Sequence, residues 1–173
     1  MSELERKKEA LRKKSLGELG ELFAVKALVD ARYDRVRNLN DDKMNFPFAD
    51  LYGEFNGEKQ VISIKARNKY QTNGKINSSY NLGNNCYAKA QKAEEAYGAK
   101  AYWMAIQFDK TTYSIYFGAL SDLADRNSIP LAACEDGSLG KCLVKDKKHY
   151  FDFDFFSNIK PSQTTSTSSE GQK

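Results

Sequence analysis

The sequence predicts an α/β domain with a mixed sheet, and three observations predict it. An apolar pattern of helical period stands near the start, two strand-like runs meet at Asn56-Gly57, and a second helical stretch is followed by another strand pair. Together they give the order α-β-β-α-β-β, with extra strands toward the C-terminus. At 173 residues the chain suits a single domain with a real core.

Residues 1–14, MSELERKKEALRKK, read as a basic helix or arm without a clear apolar stripe. Ser15-Leu16-Gly17-Glu18 has the Ser-x-x-Glu form of a capping box and predicts a helix over 15–31. Within it Leu19, Leu22, Phe23, Val25, Leu28 and Val29 recur at helical spacing. Residues 35–45 then predict a loop. Strands are expected over 46–55 and 59–66, because Asn-Gly between alternating runs is the strongest short hairpin signal. Residues 68–84, rich in Gly, Asn and Ser, predict a long polar loop of the kind that carries function. A second helix over 86–97 leads to strands at 101–108 and 113–119, joined by Asp109-Lys110-Thr111-Thr112. A short helix near 121–126 precedes Pro130, and strands are expected near 142–145 and 149–155, with Phe-Asp-Phe-Asp-Phe at 151–155 as a sheet edge or an interface. The last stretch, KPSQTTSTSSEGQK, has nothing to bury and predicts a disordered tail. The expected organisation is an N-terminal helix or arm at 1–14, one domain at 15–159 and a tail at 160–173.

Aromatic residues at 12% and apolar residues at 40% exclude global disorder. Charged residues at 29%, with no apolar run near ~18 residues, exclude a membrane span. The charged N-terminus lacks the apolar stretch of a signal peptide. Cys86, Cys134 and Cys142 match neither a disulfide framework nor a zinc pattern, so buried thiols are expected rather than a metal site with His149, itself read as structural. The expectation is a cytoplasmic protein. Its net charge of +4 is unevenly spread: residues 59–93 carry seven basic side chains and no acidic one, interleaved with Tyr70, Tyr80 and Tyr87. That mixture suits a polyanion such as a nucleic acid, and it equally suits a solvated basic face.

If Asn56 and Gly57 form the turn, Tyr52 faces Val61 and Asp50 faces Ser63, with Lys65 one diagonal step away on the same side. A carboxylate and an ammonium are thereby brought together, either as a structural ion pair or as parts of a site. On the first helix Glu18, Glu21, Val25 and Leu28 share one stripe. Glu18 has a capping role to explain it, whereas Glu21 does not. A half-buried carboxylate needs a partner or a metal, so Glu21, Asp50 and Lys65 are expected to converge where helix crosses hairpin.

These residues carry a resemblance. GELGELFAVKAL, FADLYGEFNGEKQVISIKAR and YAKAQKAEEAYGAKAYWMAIQF, taken in order over roughly residues 15–119, resemble the PD-(D/E)XK nuclease superfamily, near its Holliday-junction-resolvase-like and restriction-endonuclease-like branches. The resemblance implies a restriction-endonuclease-like core and a metal-dependent DNA endonuclease that hydrolyses phosphodiester bonds with a metal-activated water. It implies Mg²⁺, or Mn²⁺, held by Asp50, Glu21 and the backbone carbonyl of Ile64. Lys65 would orient the attacking water and offset phosphate charge, Ser63 would orient water or a ligand, and Gln91 would stand near the site. Arg67, Lys69, Tyr70, Asn73, Lys75 and Lys89 are the expected nucleic-acid contacts. Members that cut junctions or palindromes are commonly dimers, which makes a homodimer an expectation too.

This chain departs from the pattern at Ser63, where the superfamily usually has Glu or Asp. Serine brings no charge to a cation that prefers carboxylate oxygens. Either another carboxylate fills the gap, Glu21 first and Glu18, Glu54, Glu94 or Glu95 after it, or the domain is a nuclease-like module that binds nucleic acid or docks on a partner enzyme without cutting. Some restriction-enzyme branches pair Ser-x-Lys with a displaced glutamate. Its position would fall near Ser79, where this chain has none.

Overall fold

A computed structural model of the chain describes residues 1–41 and 46–149. In chain order they form α1 (Glu3–Asp30), β1 (Asp34–Asn38), β2 (Leu51–Phe55), β3 (Glu58–Asn68), β4 (Ser79–Asn81), α2 (Cys86–Tyr97), β5 (Lys100–Phe108), β6 (Thr112–Ala119), a 3₁₀ turn (Leu120–Leu123), β7 (Ser128–Pro130), α3 (Leu131–Glu135) and β8 (Lys141–Lys148). Six strands make one mixed sheet in the order β1-β2-β3-β5-β6-β8; only β3 and β5 run parallel. The expected α-β-β-α-β-β order is present, as α1, β2-β3, α2 and β5-β6, with β8 as a further C-terminal strand. Among the described residues no helix is long and apolar enough to cross a membrane.

Alternation along the strands divides the core between two faces. On one, Leu51, Ile62, Ile64, Met104, Ile106 and Phe117 pack against Leu16, Ala24 and Leu28 of α1. On the other, Tyr52, Val61, Trp103, Ala105 and Tyr116 pack against Cys86, Ala90 and Ala93 of α2 and against Leu123, Ile129 and Leu131.

Helix α1 is unbroken from Glu3 to Asp30 and is capped by Ser2 and Glu5. Ser15 is therefore not an N-cap. Its neighbours on both sides are helical, and the i,i+4 pair Lys14–Glu18 spans the junction at 14–15. The buried stripe is Leu16, Gly20, Ala24, Ala27 and Leu28. Leu22 and Val29, expected in the core, are 68% and 55% exposed. Small residues win because the helix lies close on β3: a Cβ on Gly20 would stand 2.5 Å from that of Ala66.

The hairpin register is as predicted, with Tyr52 opposite Val61 and Leu51 opposite Ile62. The first strand starts later than expected, at Leu51, because the chain turns through Pro47 and Phe48, the latter at φ +67°. The loop expected at 35–45 contains β1, an irregular edge strand whose Arg-Val-Arg charges masked it. Strand β3 outruns β2, so residues 63–68 have β5 on one side and no strand on the other.

Residues 68–84 are more ordered than a polar loop. Residues 69–77 form a small hairpin, with Tyr70 bridged to Ile76, the Gln71 N–H donating to the Lys75 carbonyl at 2.7 Å and that of Asn77 to Lys69 at 2.8 Å. Its three-residue loop, Thr72-Asn73-Gly74, closes with Gly74 at φ +82°, where glycine is at no steric disadvantage. Beyond it β4 pairs with β7, and Pro130 opens α3 rather than closing a helix. His149 is buried, its backbone N–H on Thr111 and a ring nitrogen 3.0 Å from the Asp109 carbonyl, which is a structural role. The strand expected to continue to 155 and the tail at 160–173 lie outside the described residues. Cys86 and Cys134 are buried free thiols and Cys142 a half-buried one.

Candidate active-site cleft

Where β3 outruns β2, a cleft of about 620 Å³ opens between α1, the turn before β2 and the start of α2. Glu21, Asn40, Asp50, Ser63, Lys65 and Lys89 supply its polar lining, with Phe46, Phe48, Leu82 and Cys86 as apolar wall. Four expected site residues from three separate stretches of chain, Glu21, Asp50, Ser63 and Lys65, thus share one cavity.

Asp50 is held from three directions. Its N–H donates to the Ile62 carbonyl and its own carbonyl accepts from Leu39, both at 2.9 Å, while its carboxylate accepts from the Ile64 N–H at 2.7 Å. The side chain takes the place that a longer β2 would have filled. Burial pushes the carboxyl up to about 6; the Ile64 N–H and the Lys65 ammonium draw it back, Glu21 adds to the rise and Asn40 opposes it. Among the described residues no cation lies within ion-pair distance of it. Residues 62 and 64 direct their backbone polar groups to the same side of β3, so the Ile64 carbonyl faces the Asp50 side as its N–H does.

Glu21 reaches the cleft from α1 and is oriented by two amides: its carboxylate oxygens accept from Asn38 Nδ2 at 3.0 Å and Asn40 Nδ2 at 3.1 Å. Neither asparagine was among the expected site residues. The signal was Asn38-Leu39-Asn40, two amides on one side of a fully buried leucine. Ser63 is 2% exposed and Lys65 half-buried, and among the described residues Lys65 has no ion-pair partner. Burial raises the Cys86 thiol above its ordinary value, keeping it protonated.

The remaining expected contacts are spread out. Lys89 is on the cleft rim. Arg67 is exposed with one N–H on the Ala66 carbonyl, and Lys69 stands 4.0 Å from Asp109 and 5.7 Å over the Tyr70 ring. Asn73 and Lys75 are exposed at the tip of the 69–77 hairpin. Gln91 is an exposed residue of α2 that donates to Glu95 and does not line the cleft. Of the other carboxylates, Glu18 is exposed beside Lys14, Glu54 accepts from the Tyr52 hydroxyl, and Glu94 accepts from the Ala101 N–H. None of them supplies a third acid.

No protein-family model and no curated protein matches the chain. Among solved structures it is similar to Hjc of Archaeoglobus fulgidus, a Holliday junction resolvase from an archaeal hyperthermophile, at 12% identity and a TM-score of 0.42, over 81% of this chain and 91% of that one. The likeness is loose, and what the cleft can do follows from its own side chains.

Among the described residues no three His, Cys, Asp or Glu side chains group closely enough to hold a metal ion. Two carboxylates, one backbone carbonyl and one hydroxyl remain, all oxygen donors. A hard cation that keeps several of its waters needs no more than one or two carboxylates. A largely desolvated carboxylate with no cation within ion-pair distance among the described residues is the environment such an ion relieves, so the donor set fits Mg²⁺ or Mn²⁺.

Proposed function

We propose that the chain is a metal-dependent nuclease that hydrolyses phosphodiester bonds of DNA in this cleft. The observation that carries the reading is the convergence of Glu21, Asp50, Ser63 and Lys65 on one cavity, with Asp50 half-buried, its backbone bonded to Ile62 and Leu39 and its carboxylate held by the Ile64 N–H. Asp50, Glu21 and the Ile64 carbonyl would hold the cation. When bound, a divalent cation supplies Lewis-acid stabilisation of phosphate charge and makes a water nucleophilic near neutral pH.

The chain's own groups do the rest. Lys65 presents a donor and a positive charge toward a phosphoryl oxygen, strengthened by the half-buried setting. Ser63, fixed on a central strand, orients a water or a ligand through its hydroxyl. Lys89 on the rim draws the strand in, and Asn38 and Asn40 hold Glu21 in place without neutralising it. Phe46, Phe48 and Leu82 keep bulk water from the apolar wall.

Among the described residues no third carboxylate joins Asp50 and Glu21, and this favours a second reading, in which the cleft binds nucleic acid and no longer cuts. Plasmid, linear and branched DNA incubated with Mg²⁺ or Mn²⁺ and with wild type, Asp50→Ala or Lys65→Ala separates the two. Cleavage by wild type alone supports the enzyme. Salt-sensitive binding without cleavage supports the binding module, and equal cleavage by all three proteins means a contaminant.

A further inference from the structure

The 69–77 hairpin leaves β3 directly after the strand that carries Ser63 and Lys65. Its base is fixed: the Lys69 N–H donates to the Phe108 carbonyl at 2.7 Å, and Asn77 Nδ2 donates to the Asn68 carbonyl at 2.7 Å. Its tip is bare, with residues 71–76 all exposed and Ile76 at 52%. Opposed residues of an antiparallel pair share a side. Lys69, Gln71, Lys75 and Asn77 therefore occupy one face of the ribbon, and Tyr70 and Ile76 the other. No acidic residue lies between 59 and 93. Asn73 Oδ1 accepts from the Lys75 N–H at 3.0 Å, which leaves the amide protons of this exposed side chain able to donate to a ligand.

We infer that this ribbon is a reader of duplex DNA that enters the major groove beside the cleft. The inference rests on the nuclease reading for its substrate and deepens it, naming a double-stranded one. A major groove about 12 Å wide admits a two-stranded ribbon, whereas a minor groove about 6 Å wide does not. From Lys65 to Lys69 the strand advances roughly 13 Å, close to the full width of one major groove. A backbone lying at Lys65 and Lys89 thus puts the neighbouring groove at the ribbon. The tip offers Lys75 and Asn73 as donors to guanine O6 and N7, while Arg67 and Lys69 at the base face phosphates. Groove acceptors match tip donors, and a single strand offers no groove to enter.

The test uses dimethyl sulfate on a mixed-sequence duplex with Ca²⁺, comparing wild type, the double variant Asn73→Ala/Lys75→Ala and Lys59→Ala. Lys59 is an exposed cation at the opposite end of β3. Wild type and Lys59→Ala are expected to protect guanine N7. The double variant is expected to lose that protection and to bind duplex roughly five- to a hundredfold more weakly, with a salt slope lower by about one. Protection of adenine N3 alone, equal affinity of wild type for single strand and duplex, or unchanged protection by the double variant overturns the inference. Ribbon-dependent duplex binding with no cleavage at all overturns the nuclease reading and leaves the ribbon standing. Duplex cleavage unaffected by the double variant does the reverse.

Discussion

Replacing Asp50 by asparagine should stabilise the metal-free protein while removing a ligand of the proposed cation site. The carboxyl rises from 3.8 to about 6, chiefly through burial. A raised folded pKa means that the folded state binds more protons than the unfolded one between about pH 4 and pH 6, so this group's contribution falls as pH rises through that window and is flat above it. About two units at about 1.36 kcal/mol each make the ionised form up to about 3 kcal/mol less favourable than an ordinary carboxylate would be. Asparagine keeps an oxygen for the Ile64 N–H and carries no charge. In urea denaturation with a chelator, Asp50→Asn is expected to exceed wild type by up to about 3 kcal/mol near pH 8, with the gap closing toward pH 4. Every other titrating group is shared, so the difference isolates this one. Added Mg²⁺ should raise the wild type alone. An asparagine variant no more stable than wild type near pH 8, or a gap that does not change with pH, would refute the reasoning.

Gly20→Ala forces a Cβ to within 2.5 Å of the Ala66 Cβ and should cost about 1–3 kcal/mol, read as a lower denaturation midpoint with unchanged slope. Asn40→Ala frees Glu21 from one of its two holding amides and should weaken Mg²⁺ binding by about 10- to 100-fold in calorimetric titration, with the circular dichroism spectrum retained. Gln60, 3% exposed, accepts from the Tyr33 hydroxyl at 2.8 Å and donates to Glu58 at 2.9 Å. Gln60→Leu strips the tyrosine of its partner and should lower stability by about 1–3 kcal/mol without altering DNA binding.

What was legible in the sequence was what local chemistry controls. Asn56-Gly57 set a register that placed Asp50, Ser63 and Lys65 together, and alternation assigned Leu51, Ile62 and Ile64 to the opposite face. The same dipeptide at Asn73-Gly74 signalled the second hairpin, but its flanks lack the apolar alternation of a buried strand, so it read as loop. The core stripe of α1 was misjudged because apolar size is a poor guide where a helix lies nearly against a sheet. Gly20 and Ala24 allow that approach, while Leu22 and Val29 are left facing outward. Asn38 and Asn40 escaped notice because their role exists only once β1 stands beside α1, a contact between parts of the chain that no local pattern encodes.

Serine at 63 changes the charge balance of the cleft, and under the proposed function that balance predicts how the cation and DNA would bind. Of the side chains proposed to touch the cation and the scissile phosphate, Asp50 and Glu21 are negative when ionised and Lys65 is positive, leaving one net negative charge at that centre, with Lys89 apart from it on the exposed rim. A divalent cation alone over-compensates it and leaves a positive cleft. A phosphodiester then restores neutrality, so each ligand should bind more tightly in the presence of the other, by the same factor. A glutamate at 63 would bring neutrality with the cation alone and remove most of that mutual help. Titration of Ca²⁺ into the wild type should therefore show tighter binding with a duplex oligonucleotide present than without. Ser63→Glu should bind Ca²⁺ more tightly by itself and gain less from the duplex. Because Ser63 is 2% exposed, the variant should also be less stable without the cation, as expected when a further carboxylate is buried beside Asp50. Equal Ca²⁺ affinity with and without duplex in the wild type would mean that the cleft does not bind cation and phosphate as one unit, and that Ser63 is there for packing alone.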